Sequence, residues 1–364
     1  MNSLSNQFQN REIVDSVKGI LIILVVLGHS TIADSLNPVL KTIVYSFHVH
    51  CFLLIPFLFP ARPFNRSNVV DSCSRYLVPY LCFVLLFSVL NGLIRHVSFM
   101  EWTFDLTRAV VTGNARYLKK SCGFYLYWFI PVIFVTNLAK NIYYQQGFAM
   151  RCCLLFLTIL AHLLLPTMPW EFKQHFPFLG VHIALFIFPL GLTIRWAVDR
   201  FSIASIKKAR WLLASVFFLL ILIMLRVGSS VNLGNFTHYS YHSPFLFILH
   251  DLIPIFALLT LLAFTDFFVT VLFLAFIGSR TFIIFLTSQL FVYAVSKFFS
   301  WQPIVLMNLG FKYVAGCLSV LAGIALPLLL STFIDSRKNI KSLIFPRNKV
   351  DLLVGLRKCW KLQF

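Results

Sequence analysis

Asp15-Ser16-Val17-Lys18-Gly19-Ile20-Leu21-Ile22-Ile23-Leu24-Val25-Val26-Leu27-Gly28-His29-Ser30 is the stretch on which the reading of this chain turns. It forms the first long apolar run, with a lysine near one end and a histidine at the other. Ten residues separate Lys18 from His29. On an α-helix that offset is about three turns, or roughly 16 Å along the axis, and it puts both side chains on nearly the same face. Ionisable groups are expensive in hydrocarbon, so a cation and an imidazole along one face point to a functional pathway. The competing reading is structural, with a lysine snorkelling to the interface and a histidine hydrogen-bonded between helices. The rest of the chain bears on the choice.

Of 364 residues, 59% are hydrophobic and 12% are charged, and the mean hydropathy is +0.85. Apolar runs long enough to cross a bilayer recur along nearly the whole length. The 41 phenylalanines suit lipid-facing helices better than a water-soluble core. The expected fold is all-α, a polytopic membrane protein of about ten transmembrane helices. They lie near 14–33, 38–60, 76–94, 124–140, 152–168, 178–196, 211–227, 244–264, 280–298 and 311–334.

A formal charge of +19 raises nucleic acid as a partner, but the basic residues sit in short clusters between apolar runs. That is the pattern of the positive-inside rule, and it argues for a lipid bilayer and against nucleic acid. With the N-terminus inside, about two thirds of the basic residues fall on the inner side, so both termini are expected in the cytoplasm. The first apolar run reads as a retained span, because no small-residue cleavage site follows it. Cysteines 51, 73, 82, 122, 152, 153, 317 and 359 have no metal-like spacing and mostly fall in or beside spans. There a thiol behaves as a small apolar residue, and neither a disulfide nor a metal site is implied.

The organisation is one membrane domain over residues 1–334 and a basic cytoplasmic tail over 335–364. The tail mixes Arg337, Lys338, Lys341, Arg347, Lys349, Arg357, Lys358 and Lys361 with apolar residues, which suits a segment lying on the anionic inner leaflet. Three outer segments are candidates for holding a substrate. The loop 95–123 carries Glu101, Trp102, Asp105, Asn114, Arg116 and Tyr117, and the loop 169–177 carries Trp170, Glu171 and His175. The loop 228–243 is rich in hydroxyl, amide and aromatic groups, a mixture that suits a carbohydrate.

His29, His48, His50, His162, His182 and His250 all lie within the expected spans. His48 and His50 flank Val49 and therefore point to different sides of the second span, so only one of them faces His29. No pair has the i, i+4 spacing with a nearby carboxylate that a zinc site favours.

The segment from Arg11 to His29 resembles the first helix of the acyltransferase-3 family of integral membrane O-acyltransferases, which typically shows a basic residue, ten intervening residues and a histidine. The likeness continues with Phe47-His48-Val49-His50-Cys51-Phe52, where the family has Phe-His-x-Pro-x-Phe. Arg75-Tyr76-Leu77-Val78-Pro79-Tyr80 is similar to an Arg-(x)3-Pro-Tyr element, and Tyr127-Trp128-Phe129-Ile130-Pro131 to a Trp-Phe-Leu element. Phe188-Pro189-Leu190-Gly191 and Gly278-Ser279-Arg280-Thr281 fall where later glycine-marked elements are expected. Within that family the chain most resembles the fucose 4-O-acetylase-like branch. Departures are equally specific. His50 stands where the family usually has proline, Ile55-Pro56-Phe57 replaces a common Leu-Ser-Gly, and Ser288 stands where many members have histidine.

The resemblance implies acyl transfer, with acetyl-CoA as the expected donor and a hydroxyl of a surface glycan or its lipid-linked precursor as the acceptor. It implies a bacterial inner-membrane location and catalytic roles for His29 and Lys18. Lys18 and Arg75, joined by Arg62, Arg66 or Arg195, would hold the cofactor's phosphates by charge-assisted hydrogen bonds. His48 and Trp128 are the candidates for contacting the acceptor. An imidazole suits the proton transfer because its unperturbed pKa of about 6.5 lies near working pH. Transient acylation of His29 is the alternative route, and the sequence leaves both open. The rival class is a secondary transporter or flippase that uses histidines as proton relays. Inverted repeats with helices broken in matching halves would favour it, and Pro56 and Pro254 do not occupy corresponding halves.

Overall fold

A computed structural model describes residues 11–30, 38–124, 126–165, 180–227, 244–269, 272–299 and 309–360. The regular structure among them is helical throughout. Helix α1 spans Arg11–Gly28 and α2 spans Pro38–Leu54, running on into a 3-10 turn at Ile55–Leu58. Then come α3 (Arg66–Arg95), α4 (Phe99–Thr112), α5 (Ala115–Cys122), a 3-10 turn at Leu126–Trp128, α6 (Phe129–Gln145) and α7 (Phe148–Leu164). The chain continues through α8 (Val181–Arg200), α9 (Ile203–Lys208), α10 (Arg210–Val227), α11 (Pro244–Ala263), α12 (Thr265–Val269) and α13 (Leu272–Ser279). It ends in α14 (Thr281–Phe299), α15 (Leu309–Ser336), α16 (Lys338–Ile344) and α17 (Lys349–Trp360).

Six described helical segments are long and apolar enough to cross a membrane: Val39–Leu58, Arg66–Arg95, Val181–Arg200, Arg210–Val227, Thr281–Phe299 and Tyr313–Ser336. Phe148–Leu164 and Ile248–Ala263 are shorter apolar helices. The remaining expected spans coincide with α1, which carries Glu12, Asp15 and Lys18, and with α6. A helix therefore stands at each expected position.

The segment 95–123 differs from the loop expected there. It is folded into α4 and α5, each with a side-chain cap. Ser98 Oγ accepts from the N–H of Glu101 at 3.3 Å, and Asn114 Oδ1 accepts from that of Arg116 at 2.8 Å. Gly113 and Gly123 close the two helices at φ 60° and 80°, a backbone region open to glycine without strain. The polar residues that suggest a loop are partly spent on helix–helix pairing, as Lys120 lies 3.0 Å from Asp105 and 3.7 Å from Glu101.

The described contacts divide the chain into two compact units. One comprises Met1–Pro60 with Leu190–Leu329, the other Ala61–Pro189 with Leu330–Phe364.

In the first unit α1 is the central element, packing against α13, α2, α12 and α14. Val14, Val17, Leu21, Ile22, Val25 and Val26 are buried, so the apolar face of α1 meets protein. Among membrane helices apolar side chains gain little by leaving lipid, and close backbone approach supplies the packing energy. A Cβ on Gly19 would overlap the carbonyl oxygen of Leu274, and one on Gly278 would overlap that of Asp15. The glycine-marked element at 278 is thus a crossing point of α13 on α1.

In the second unit α3 packs against α4, α5 and α6. The Tyr80 hydroxyl donates to Ala109 O at 3.0 Å, Trp102 Nε1 donates to Ser88 O at 3.1 Å, and the Ser88 and Ser121 hydroxyls lie 2.8 Å apart. Leu85, Leu86, Val89, Leu90, Leu93 and Ile94 are exposed along α3, as a lipid-facing side requires. The tail helices α16 and α17 pack on α3 in this unit, with Phe345 and Phe83 rings 5.9 Å apart.

Candidate active site

His29 follows directly on the last residue of α1. Its backbone N–H donates to the carbonyls of Val25 and Val26 at 3.1 and 3.3 Å, which closes the helix. Ser30 Oγ lies 2.5 Å from Ser319 Oγ, tying this end to α15. Tyr45 of α2 lies across the same end. A Cβ on Gly28 would stand 2.7 Å from Tyr45 Cε2, so the glycine makes room for the ring. The phenol donates to the Gly28 carbonyl at 2.8 Å, and its oxygen lies 3.2 Å from His29 Nδ1. The His29 and Tyr45 rings meet edge-on with centroids 5.8 Å apart.

His48 meets the same tyrosine edge-on, with ring centroids 5.1 Å apart. It is fully buried, and its Nδ1 donates to the Val44 carbonyl at 2.5 Å. A neutral imidazole carries one ring proton, so Nε2 of His48 is the bare nitrogen. That Nε2 is buried and has no hydrogen-bond partner among the described residues. Lys41 Nζ lies 5.7 Å from the Tyr45 ring centroid and adds a cation to the cluster. Two imidazoles thus converge on one phenol, in the first unit, at the C-terminal end of α1.

Of the residues expected from the sequence, His29 and His48 are brought together through Tyr45. His50 points elsewhere, its ring centroid 4.5 Å from that of His250. His250 Nδ1 lies 3.6 Å from Asp251 Oδ1, and Cys51 Sγ donates to the Pro254 carbonyl at 3.4 Å, so this side of α2 is joined to α11. Lys18 stands about three turns from His29 on α1. It is partly exposed and paired with Asp15 at 2.5 Å. Arg75 and Trp128 belong to the second unit. There the Arg75 guanidinium donates to the Arg347 carbonyl from Nε at 3.4 Å and Nη2 at 3.2 Å. Trp128 stands edge-on to Phe129 with centroids 6.0 Å apart.

Arg195 does not fit a phosphate-binding role. It is buried, ion-paired with Asp199, and donates to the Leu58 carbonyl at 3.3 Å. His162 Nδ1 donates to the Phe186 carbonyl at 2.6 Å and ties α7 to α8. Among the described residues no cluster of His, Cys, Asp or Glu can hold a metal ion. The segments 169–177 and 228–243, with Trp170, Glu171 and His175, lie outside the described residues.

Sequence reasoning missed Tyr45 and Lys41. Both sit on the helix that carries His48, three and seven residues before it, so they share its face. That register was the available signal.

The apolar helices define a multi-pass membrane protein. Over residues 11–334 the chain matches the acyltransferase domain of the acyltransferase-3 family, and it belongs to that family. It is a membrane acyltransferase. No curated protein and no solved structure gave a match.

Proposed function

We propose that this enzyme is an O-acyltransferase that moves an acyl group, acetyl being the expected one, from cytoplasmic acyl-CoA to a hydroxyl of a cell-surface polysaccharide or a lipid-linked glycan precursor, in a bacterial inner membrane. The observation that carries the reading is the meeting of His29 and His48 around Tyr45 on an acyltransferase-3 chain. In this reading His29 removes the acceptor hydroxyl's proton, the oxygen attacks the acyl carbonyl, and the carbon–sulfur bond breaks. The departing thiolate then takes up the proton. In the alternative route the imidazole itself receives the acyl group before passing it on.

Lys18 supports donor binding because Asp15 engages one of its N–H donors and leaves the ammonium others to offer a phosphate. Arg75, exposed and cationic, is the second candidate for the donor's phosphates, and Trp128 for stacking on the acceptor. The bare, buried Nε2 of His48 suits a hydrogen bond from an acceptor hydroxyl.

The test is glycan O-acetylation in cells producing wild type or His29→Ala at matched membrane abundance. Loss of at least about 100-fold is expected for a general base. Full acetylation by His29→Ala would remove the proposed mechanism. Unaltered acetyl esters with and without the wild-type protein would remove that glycan as the acceptor.

A further inference from the structure

We infer that Tyr45 is a positioning residue for His29: its phenol fixes the imidazole in the Nδ1–H tautomer and so presents Nε2 as the reacting nitrogen. The inference rests on the base role proposed above for His29, and it concerns which nitrogen acts and what sets it.

The argument is a count of protons. A phenol has one, and a carbonyl has none to give. The Gly28 carbonyl takes the Tyr45 proton at 2.8 Å. Toward His29 the Tyr45 oxygen can then act only as an acceptor. Nδ1, 3.2 Å away, must carry the ring proton, and in the neutral ring Nε2 keeps its lone pair. The chain of donors runs one way, from Nδ1–H to the phenol oxygen and from the phenol O–H to Gly28 O.

The sequence builds this device deliberately into two helices. Gly28 has no Cβ to displace the ring, which a methyl at 2.7 Å from Cε2 would press upon. Tyr45 is further held by its edge-on contacts with His29 and His48. The chemistry gains in both routes. As Nε2 takes the hydroxyl proton, the ring becomes an imidazolium whose Nδ1–H still points at an oxygen acceptor, the role an orienting group plays behind a catalytic histidine. The acceptor oxygen bonds to the acyl carbon, the thiolate leaves, and the proton passes from Nε2 to sulfur. If His29 is acylated instead, the same Nε2 attacks while Nδ1–H remains in place.

The experiment uses the full-length protein in membranes, labelled with 15N in the histidine rings. The His29 signals are assigned as those missing from His29→Gln. In wild type, Nδ1 is expected at a protonated and Nε2 at a bare-nitrogen shift, and in Tyr45→Phe the two move toward each other as the tautomers mix. A wild-type His29 protonated on Nε2 overturns the inference outright, whether or not the variants fold. Gly28→Ala, which displaces the ring and keeps the phenol, should reproduce the tautomer mixing.

Activity separates this inference from the reading beneath it. In native membrane vesicles given acetyl-CoA, Tyr45→Phe should lower kcat for thiol release by about tenfold or more, with KM for acetyl-CoA unchanged. A silent Tyr45→Phe beside an inactive His29→Ala removes the positioning role alone. A fully active His29→Ala removes the base reading itself.

Discussion

The carbonyl oxygen of Asp15 rests against the α-carbon of Gly278, where no side chain can be added without overlap. This contact sets α13 on α1 beside the Lys18–Asp15 ion pair. The obstacle to a side chain is backbone, which cannot swing aside as a rotamer would. Gly278→Ala is therefore expected to destabilise the protein by about 1–3 kcal/mol, the usual range for overpacking. A thermal-unfolding series on detergent-solubilised protein, followed by size-exclusion fluorescence, should show a lower transition. An unchanged transition would mean that α13 does not approach α1 this closely.

Lys18 poses a sharper question, because its structural and chemical roles predict different kinetics. A charge-assisted hydrogen bond to a phosphate contributes about 1.5–3 kcal/mol, which corresponds to roughly 10- to 100-fold in binding. Lys18→Ala should raise KM for acyl-CoA by that factor, and Lys18→Arg should restore most of it. A lysine that only snorkels to the interface would leave KM untouched in both variants. Donor-dependent thiol release in vesicles distinguishes the two.

Much of this arrangement was legible in the chain, for identifiable reasons. The run from Ile20 to Leu27, ended by Gly28 and His29, reads as a membrane helix, and α1 stops there. The two-residue offset of His48 and His50 separates their environments, and one meets Tyr45 while the other meets His250. What escaped was pairing between segments. Nothing within 95–123 taken residue by residue says that Lys120 will neutralise Asp105, although Ser98 and Glu101 have the spacing of a helix start. Tyr45 escaped because a phenol in a span is ordinary, and its meaning depends on the bare α-carbon of Gly28 in another helix. The glycine at 278 was visible as a mark, but its function as a crossing needs the Asp15 carbonyl opposite it.

The basic tail also has partners that charge counting does not reveal. The backbone N–H of Lys349, at the first turn of α17, donates to Asp71 Oδ1 at 2.9 Å, while Asn348 caps the same helix by accepting from Asp351 at 2.9 Å. Asp71 thus places a carboxylate at the positive end of α17. Removing a capping acceptor costs about 0.5–2 kcal/mol, or roughly 2- to 30-fold in the local opening equilibrium. Asp71→Ala, which removes the acceptor, should accelerate tryptic cleavage after Arg347 and Lys349 by such a factor in vesicles that expose the tail. Equal cleavage rates would show that Asp71 does not hold the tail.

The last prediction concerns a departure from the family pattern. Phe57 stands where the resemblance leads one to expect glycine, and its ring fits against Gly191 of α8, where a Cβ would overlap the ring. Phe57 is fully buried, so the ring has little room to retreat. Large side chain and bare α-carbon act as a matched pair, and the match has a measurable signature. Gly191→Ala should destabilise by about 1–3 kcal/mol through overpacking, and Phe57→Leu by about 1 kcal/mol or more through lost contacts. Combined, the two should cost less than their sum, because the smaller leucine admits the added methyl. A coupling of at least about 0.5 kcal/mol in the double-mutant cycle is expected for residues in contact. Strict additivity would mean that Phe57 and Gly191 do not touch, and that the phenylalanine is tolerated for another reason.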